Sequence, residues 1–229
     1  MDNNTTKLNP AFNPETNFRF FNPKEEVEHV SGNLPHWRQA GKIYFVTFRT
    51  ADSLPQEILR AWKEEIDIWN RQNPKPHRHL QPQEYQRRFS VRVHRFLDAG
   101  YGACLLAKPA LKSLVEDAIR YFDGDRYHLD EFVVAVNHVH VLVEPLRNHT
   151  LSEILRSWKS FTSNEINKAC GNTGAFWRKE YFDHLVRSEA ALNKFREYIQ
   201  AHKDYKPFIH YSLRQDDGDT FLRLPAGEK

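Results

Sequence analysis

Residues 127–143 read YHLDEFVVAVNHVHVLV, and this stretch decides the fold. It contains two runs rich in β-branched and aromatic residues, Tyr127 to Val136 and His138 to Val143, with Asn137 between them. Such runs with a short polar break predict two antiparallel strands joined by a tight turn. Upstream, KIYFVTFRT from Lys42 to Thr50 predicts another strand. Between Leu54 and Asn70, Ile58, Leu59, Trp62, Ile66 and Trp69 recur at helical spacing. Gly100 to Leu106 is a short strand candidate. Pro109 suits the start of a helix whose apolar face is Leu111, Leu114, Val115, Ala118, Ile119 and Phe122.

Downstream, Thr150 and Glu153 have capping-box spacing and open a helix to about Ala169. Its apolar positions are Leu151, Ile154, Leu155, Trp158, Phe161 and Ile166. Phe176 to Val186 is strand-like. Ser188 caps a final helix to about Lys203, with Leu192, Phe195 and Ile199 facing inward. The order is strand, helix, strand, helix, strand, strand, helix, strand, helix. It predicts an α+β fold of split βαβ type, with helices packed mainly on one face of the sheet.

The chemistry-bearing residues fall on these elements. His138 and His140 are two apart on a strand, so both imidazoles project from one face while Val139 points into the other. Two imidazoles on a rigid strand make half of a divalent metal site. They can equally be satisfied structural histidines, and local evidence leaves both readings open. A second H-x-H, His77 and His79, lies in a polar loop and reads as basic surface. Tyr198 and His202 are four apart on the last helix and share a face. That spacing can deliver a phenol beside a metal ligand. It is also compatible with a packed tyrosine and a solvated histidine.

Composition sets the broad class. With 40% hydrophobic and 28% charged residues among 229, the chain is long enough for one mixed domain with a real core. No apolar run approaches membrane-spanning length, and the polar start lacks the layout of a secretory signal, so a cytoplasmic protein is expected. Cys104 and Cys170 are far apart and form no metal or redox motif. A net charge of +3 says little, but its distribution says more. Between Arg71 and Arg95, Glu84 is the only acid among many bases. Arg78, Arg87, Arg88, Arg92 and Arg95 in that block are candidate phosphate contacts. Trp158, Lys159 and Phe161, with Arg156, mix cations and aromatic groups on one helix; such a mixture can stack bases and meet phosphates, though more often the aromatics are core and the cations face solvent. No P-loop is present.

Taken in order, LPHWRQAGKIYFVTFRTADSLP from Leu34, LDAGYGACLL from Leu97, VNHVHVLVEP from Val136, SWKSFT from Ser157, FWRKEYFDHLVRSE from Phe176 and REYI around Tyr198 resemble the REP-associated tyrosine transposases. These are relatives of the insertion-sequence transposases with one catalytic tyrosine. The resemblance implies a ferredoxin-like antiparallel sheet and a transposase domain over residues 34–206. An irregular arm, 1–33, would precede it and a tail, 207–229, would follow. It implies that His138 and His140 are the HUH metal pair and Tyr198 the nucleophile. His202 stands where the family often has Asn, and Lys203 where it has Pro; His202 can still ligate a metal. Lys203 joins the candidate DNA contacts.

The implied activity is cleavage and rejoining of single-stranded DNA at repeat hairpins through a 5′-phosphotyrosine, with Mg2+ or Mn2+, by a monomer or homodimer. The alternative is a catalytically inactive DNA-binding protein descended from such an enzyme. A zinc hydrolase is disfavoured, because a barrel with an early H-x-H needs a longer chain.

Overall fold

A computed structural model describes residues 18–30, 36–73, 96–146 and 148–206. Six strands are present among the described residues: β1 (Glu28–Val30), β2 (His36–Arg38), β3 (Tyr44–Arg49), β4 (Tyr127–Val134), β5 (His138–Pro145) and β6 (Phe182–Leu185). They are accompanied by the α-helices α1 (Gln56–Gln72), α2 (Pro109–Arg120), α3 (Leu151–Cys170) and α4 (Glu189–Gln200), and residues 96–98 are also helical. The main sheet has the order β4-β5-β3-β6 and is antiparallel throughout. Counted from β3, that is the 4-1-3-2 order of a ferredoxin-like sheet, as expected.

The quoted stretch is a hairpin. Its turn is closed by the Ala135 N–H donating to the His138 carbonyl, 2.9 Å. Alternation then sorts the side chains. Tyr44, Val46 and Phe48 of β3 and Val139, Val141 and Val143 of β5 enter the larger core, which α2 and α3 cover through Val115, Ile119, Leu155 and Trp158. Phe45 and Leu142 face the other side, where α4 packs through Leu192 and Ile199. Burying side chains of this size contributes roughly 1.5–3 kcal/mol each, so the sheet is fixed from both faces.

The helix signals are realised. Pro109 is the first residue of α2, the Thr150–Glu153 capping box forms, and the Ser188 side chain accepts from the Ala191 N–H. The last helix ends at Gln200 rather than Lys203.

Four expectations are corrected. Residues 100–106 form a turn ending in a 3-10 segment, Leu105–Ala107, instead of a strand. Gly100, Gly102 and Cys104 have φ of 72°, 93° and 48°, and left-handed residues so closely spaced cannot extend. Strand β6 is shorter than Phe176 to Val186; Trp177 contributes only an isolated bridge to Thr50. Phe161 is exposed and lies outside the apolar face of α3. The stretch before Asn33 is not wholly irregular: β1 pairs with β2, and Phe18 is buried against the sheet. The candidate contacts Arg78, Arg87, Arg88, Arg92 and Arg95, and the tail at 207–229, lie outside the described residues.

Candidate metal and tyrosine site

His138 and His140 occupy the second face of β5, which is flanked on both sides by β4 and β3. Both are essentially fully buried. Their Nε2 atoms lie 3.0 Å apart. Each ring is held from behind. The Asn137 side-chain amide donates to the Tyr101 carbonyl, 2.8 Å, which turns Asn137 Oδ1 toward His138 Nδ1 at 2.8 Å. An amide oxygen only accepts, so Nδ1 of His138 carries the hydrogen and its Nε2 presents a lone pair. His140 Nδ1 meets the Thr47 hydroxyl at 2.7 Å across the ladder, where the two residues are register partners.

The inward nitrogens have a physical consequence. The His138 Nε2 lone pair lies 3.0 Å from His140 Nε2, a spacing that either a shared proton or a cation between the two nitrogens satisfies. Ligands about 2.1 Å from one ion stand about 3.0 Å apart at right angles and about 3.4 Å apart at the tetrahedral angle. The pair therefore fits a divalent cation.

Helix α4 brings the phenol. Tyr198 Oη is 3.3 Å from His140 Nε2, and the two rings meet edge to face at 5.1 Å. The helix is pinned two residues earlier by Arg196. Its Nε and Nη2 donate to the two carboxylate oxygens of Asp130 at 2.6 and 2.8 Å. A turn later Gln200 donates to Glu131 at 2.9 Å, and Tyr205 donates to the same carboxylate at 2.7 Å. Desolvation, and then the negative charge of Asp98, push the Tyr198 phenol well above its ordinary range. A phenol so placed does not ionise unaided near neutral pH, so an attacking phenolate needs positive charge beside it.

His202 follows α4 in a turn. Its ring centre is 5.5 Å from that of His138 and 6.3 Å from that of His140. The sequence thus named four residues, His138, His140, Tyr198 and His202, that the fold gathers at one place. It did not point to Asp98, whose Oδ1 lies 3.6 Å from Nε2 of both His138 and His202. No spacing rule links an aspartate at 98 to a strand at 138. Thr47 carried a faint signal as a polar residue inside an apolar strand.

The DNA-contact candidates divide. Trp158 is only 2% exposed and donates its Nε1–H to the Tyr127 hydroxyl at 3.0 Å. Its ring belongs to the core, and its expected role in stacking on bases is corrected. Lys159 is half-buried, donates to the carbonyls of Arg178 and Lys179, and is pushed down to about 8 by burial. Arg156 is exposed on α3, the helix that covers the face opposite the histidines. Lys203 is exposed beside His202.

This arrangement defines a class: two strand histidines and a helical tyrosine converging on a cation-sized gap. The profile of the family described as "Transposase IS200 like" matches residues 87–202, half of the chain, and includes every residue of the gap except Thr47. The chain belongs to that transposase family.

Two solved structures are similar to parts of it. One is described as a REP-associated tyrosine transposase bound to a REP hairpin; it is 15% identical, has a TM-score of 0.38, and the match covers 76% of this chain and 70% of that one. The other is a candidate transposase from Deinococcus radiodurans R1, also 15% identical, with a TM-score of 0.32 and coverage of 69% and 88%. No curated protein matches the chain. No helix among the described residues is long and apolar enough to cross a membrane.

Proposed function

We propose that this transposase cuts and rejoins single-stranded DNA, with Tyr198 as nucleophile and a divalent metal held by His138, His140 and His202. The observation that carries the reading is the approach of the Tyr198 hydroxyl to within 3.3 Å of His140 Nε2, on the side where His138 Nε2 also points. Mg2+ or Mn2+ bound there would withdraw charge from a scissile phosphate and favour the phenolate.

The chain's own residues do the rest. Asn137 and Thr47 hold the imidazoles with Nε2 inward. Arg196 fixes the helix that presents the phenol. The Tyr198 oxygen attacks phosphorus, a new P–O bond to tyrosine forms, and the bond to the 3′-oxygen breaks. The departing oxygen takes a proton and leaves as a 3′-hydroxyl. A second strand's 3′-hydroxyl then attacks the phosphotyrosine, restores a phosphodiester and returns the phenol. One phosphoester is exchanged for another in each step, so no nucleotide hydrolysis is needed.

The family membership supports the transposase class, and the sequence resemblance to the repeat-associated group supports palindromic hairpins as substrate. The exposed Arg156 and Lys203 are candidate phosphate contacts, together with the basic block before Arg95. The test is incubation with single-stranded repeat hairpins and Mn2+, followed by denaturing electrophoresis. A covalent protein–DNA adduct is expected from the wild type and not from Tyr198→Phe. Binding without any adduct would instead favour an inactive DNA-binding descendant.

A further inference from the structure

We infer that Asp98 is a direct metal ligand, making the site a mixed carboxylate–imidazole centre that prefers hard divalent cations. This rests on the proposed metal site and assigns it a ligand from a separate helical segment, at the end of residues 96–98. Asp98 Oδ1 is 3.6 Å from Nε2 of His138 and 3.6 Å from Nε2 of His202. These separations are too long for hydrogen bonds. They are close to the spacing of two ligands around one ion, and all three ligand atoms lie within 4.8 Å of one another. The carboxylate thus spans the gap between the strand histidine and the histidine after α4.

Asp98 is held in place by its surroundings. Leu97, its neighbour, is fully buried in the cluster under α1. The Gly100 N–H returns to the Leu97 carbonyl at 3.0 Å, closing a turn with φ of 72° at Gly100. The Tyr101 carbonyl then accepts from Asn137, whose other end holds His138. One amide therefore ties the turn that follows Asp98 to a metal-facing imidazole. Farther along, the Ala103 N–H donates to Asp52 Oδ2 at 2.7 Å.

An all-imidazole site favours softer ions, and carboxylate oxygen shifts the balance toward manganese and magnesium. Asp98 also supplies a negative charge that neutral histidines lack.

The test is calorimetric titration of the full chain with Mn2+ and, separately, with Ni2+, for wild type, Asp98→Asn and Asp98→His, with circular dichroism to verify folding. Asp98→Asn should weaken Mn2+ at least about tenfold and Ni2+ distinctly less. Asp98→His should bind Ni2+ at least as well as wild type without recovering Mn2+. Unchanged Mn2+ affinity in Asp98→Asn would overturn the assignment. So would an equal loss for both ions, which would make Asp98 a positioning residue. A wild-type chain that binds neither ion would instead remove the metal site itself, a distinct failure.

Discussion

Thr47 and His140 face each other across the β3–β5 ladder, and the threonine hydroxyl lies 2.7 Å from His140 Nδ1. This contact fixes the ring orientation that sends Nε2 toward Tyr198 and His138. Thr47→Val keeps the β-branched shape and removes only the hydroxyl. We expect metal affinity and adduct formation to fall about 10- to 100-fold, the usual effect of losing the group behind a metal-ligating histidine. Titration with Mn2+ and single-turnover cleavage measure it. Wild-type values for both would show that packing alone orients His140.

The helix that carries Tyr198 depends on a buried ion pair. Arg196 and Asp130 form a two-pronged contact, with side chains 10% and 5% exposed. Arg196→Ala takes the guanidinium away from a buried carboxylate, and we expect a loss of about 3–5 kcal/mol. For a chain of this size that is a fall in Tm on the order of 10 °C. Thermal unfolding checks it, and Arg196→Met combined with Asp130→Leu should recover most of the loss. A single mutant as stable as wild type would contradict the anchoring role.

Trp158 separates core from DNA surface. Trp158→Ala should destabilise by about 3–5 kcal/mol through the cavity it leaves. Affinity for single-stranded DNA, measured well below the unfolding temperature, should stay within twofold of wild type. Arg156→Ala should do the reverse: little change in stability, with weaker DNA binding and a shallower salt dependence. A selective loss of DNA affinity in the tryptophan variant would reopen a stacking role.

His184 gives a pH signature. Its ring lies beside the stacked Phe45–Phe195 pair, at centroid distances of 6.4 and 6.1 Å. Burial lowers its pKa; Asp183 opposes that shift and Arg187 adds to it. With the folded value below the unfolded one, the unfolded chain binds more protons in the interval between them. The contribution to stability is therefore complete above about pH 6.5 and is lost as pH falls below it. The slope from this one group is at most about 1.4 kcal/mol per pH unit. His184→Phe should flatten the acid limb of urea-unfolding stability relative to wild type. Parallel curves for the two proteins would sink this account.

How much was legible depended on whether the signal was local. The hairpin, the capping box and the alternation of β5 are patterns within a dozen residues, and each was readable. The spacing of His138 and His140 showed that they share a face, and that of Tyr198 and His202 that they share another. Nothing local showed that the two faces meet; the ordered resemblance supplied that link. Asp98 was invisible because its place comes from a turn at Gly100 and a tertiary tie through Asn137. The strand expected at 100–106 failed because apolar residues near Cys104 outweighed the flanking glycines. At Gly102, where a Cβ would come within 2.7 Å of the Asp52 carbonyl oxygen, the chain needs a bend rather than an extension. Trp158 misled because charged neighbours in sequence sit on a different side of the same helix.

The two halves of the site are mounted by unlike means. His138 and His140 alternate with Val139 and Val141, so sliding β5 by one place would put imidazoles into hydrocarbon and valines at the gap. The whole interior thus proofreads the position of the two histidines. The tyrosine's half leans on Arg196, Gln200 and Tyr205, whose partners Asp130 and Glu131 are carboxylates. The imidazoles are thus placed by the register of the sheet itself, and the phenol by charged contacts that a separate helix makes with the edge of that sheet.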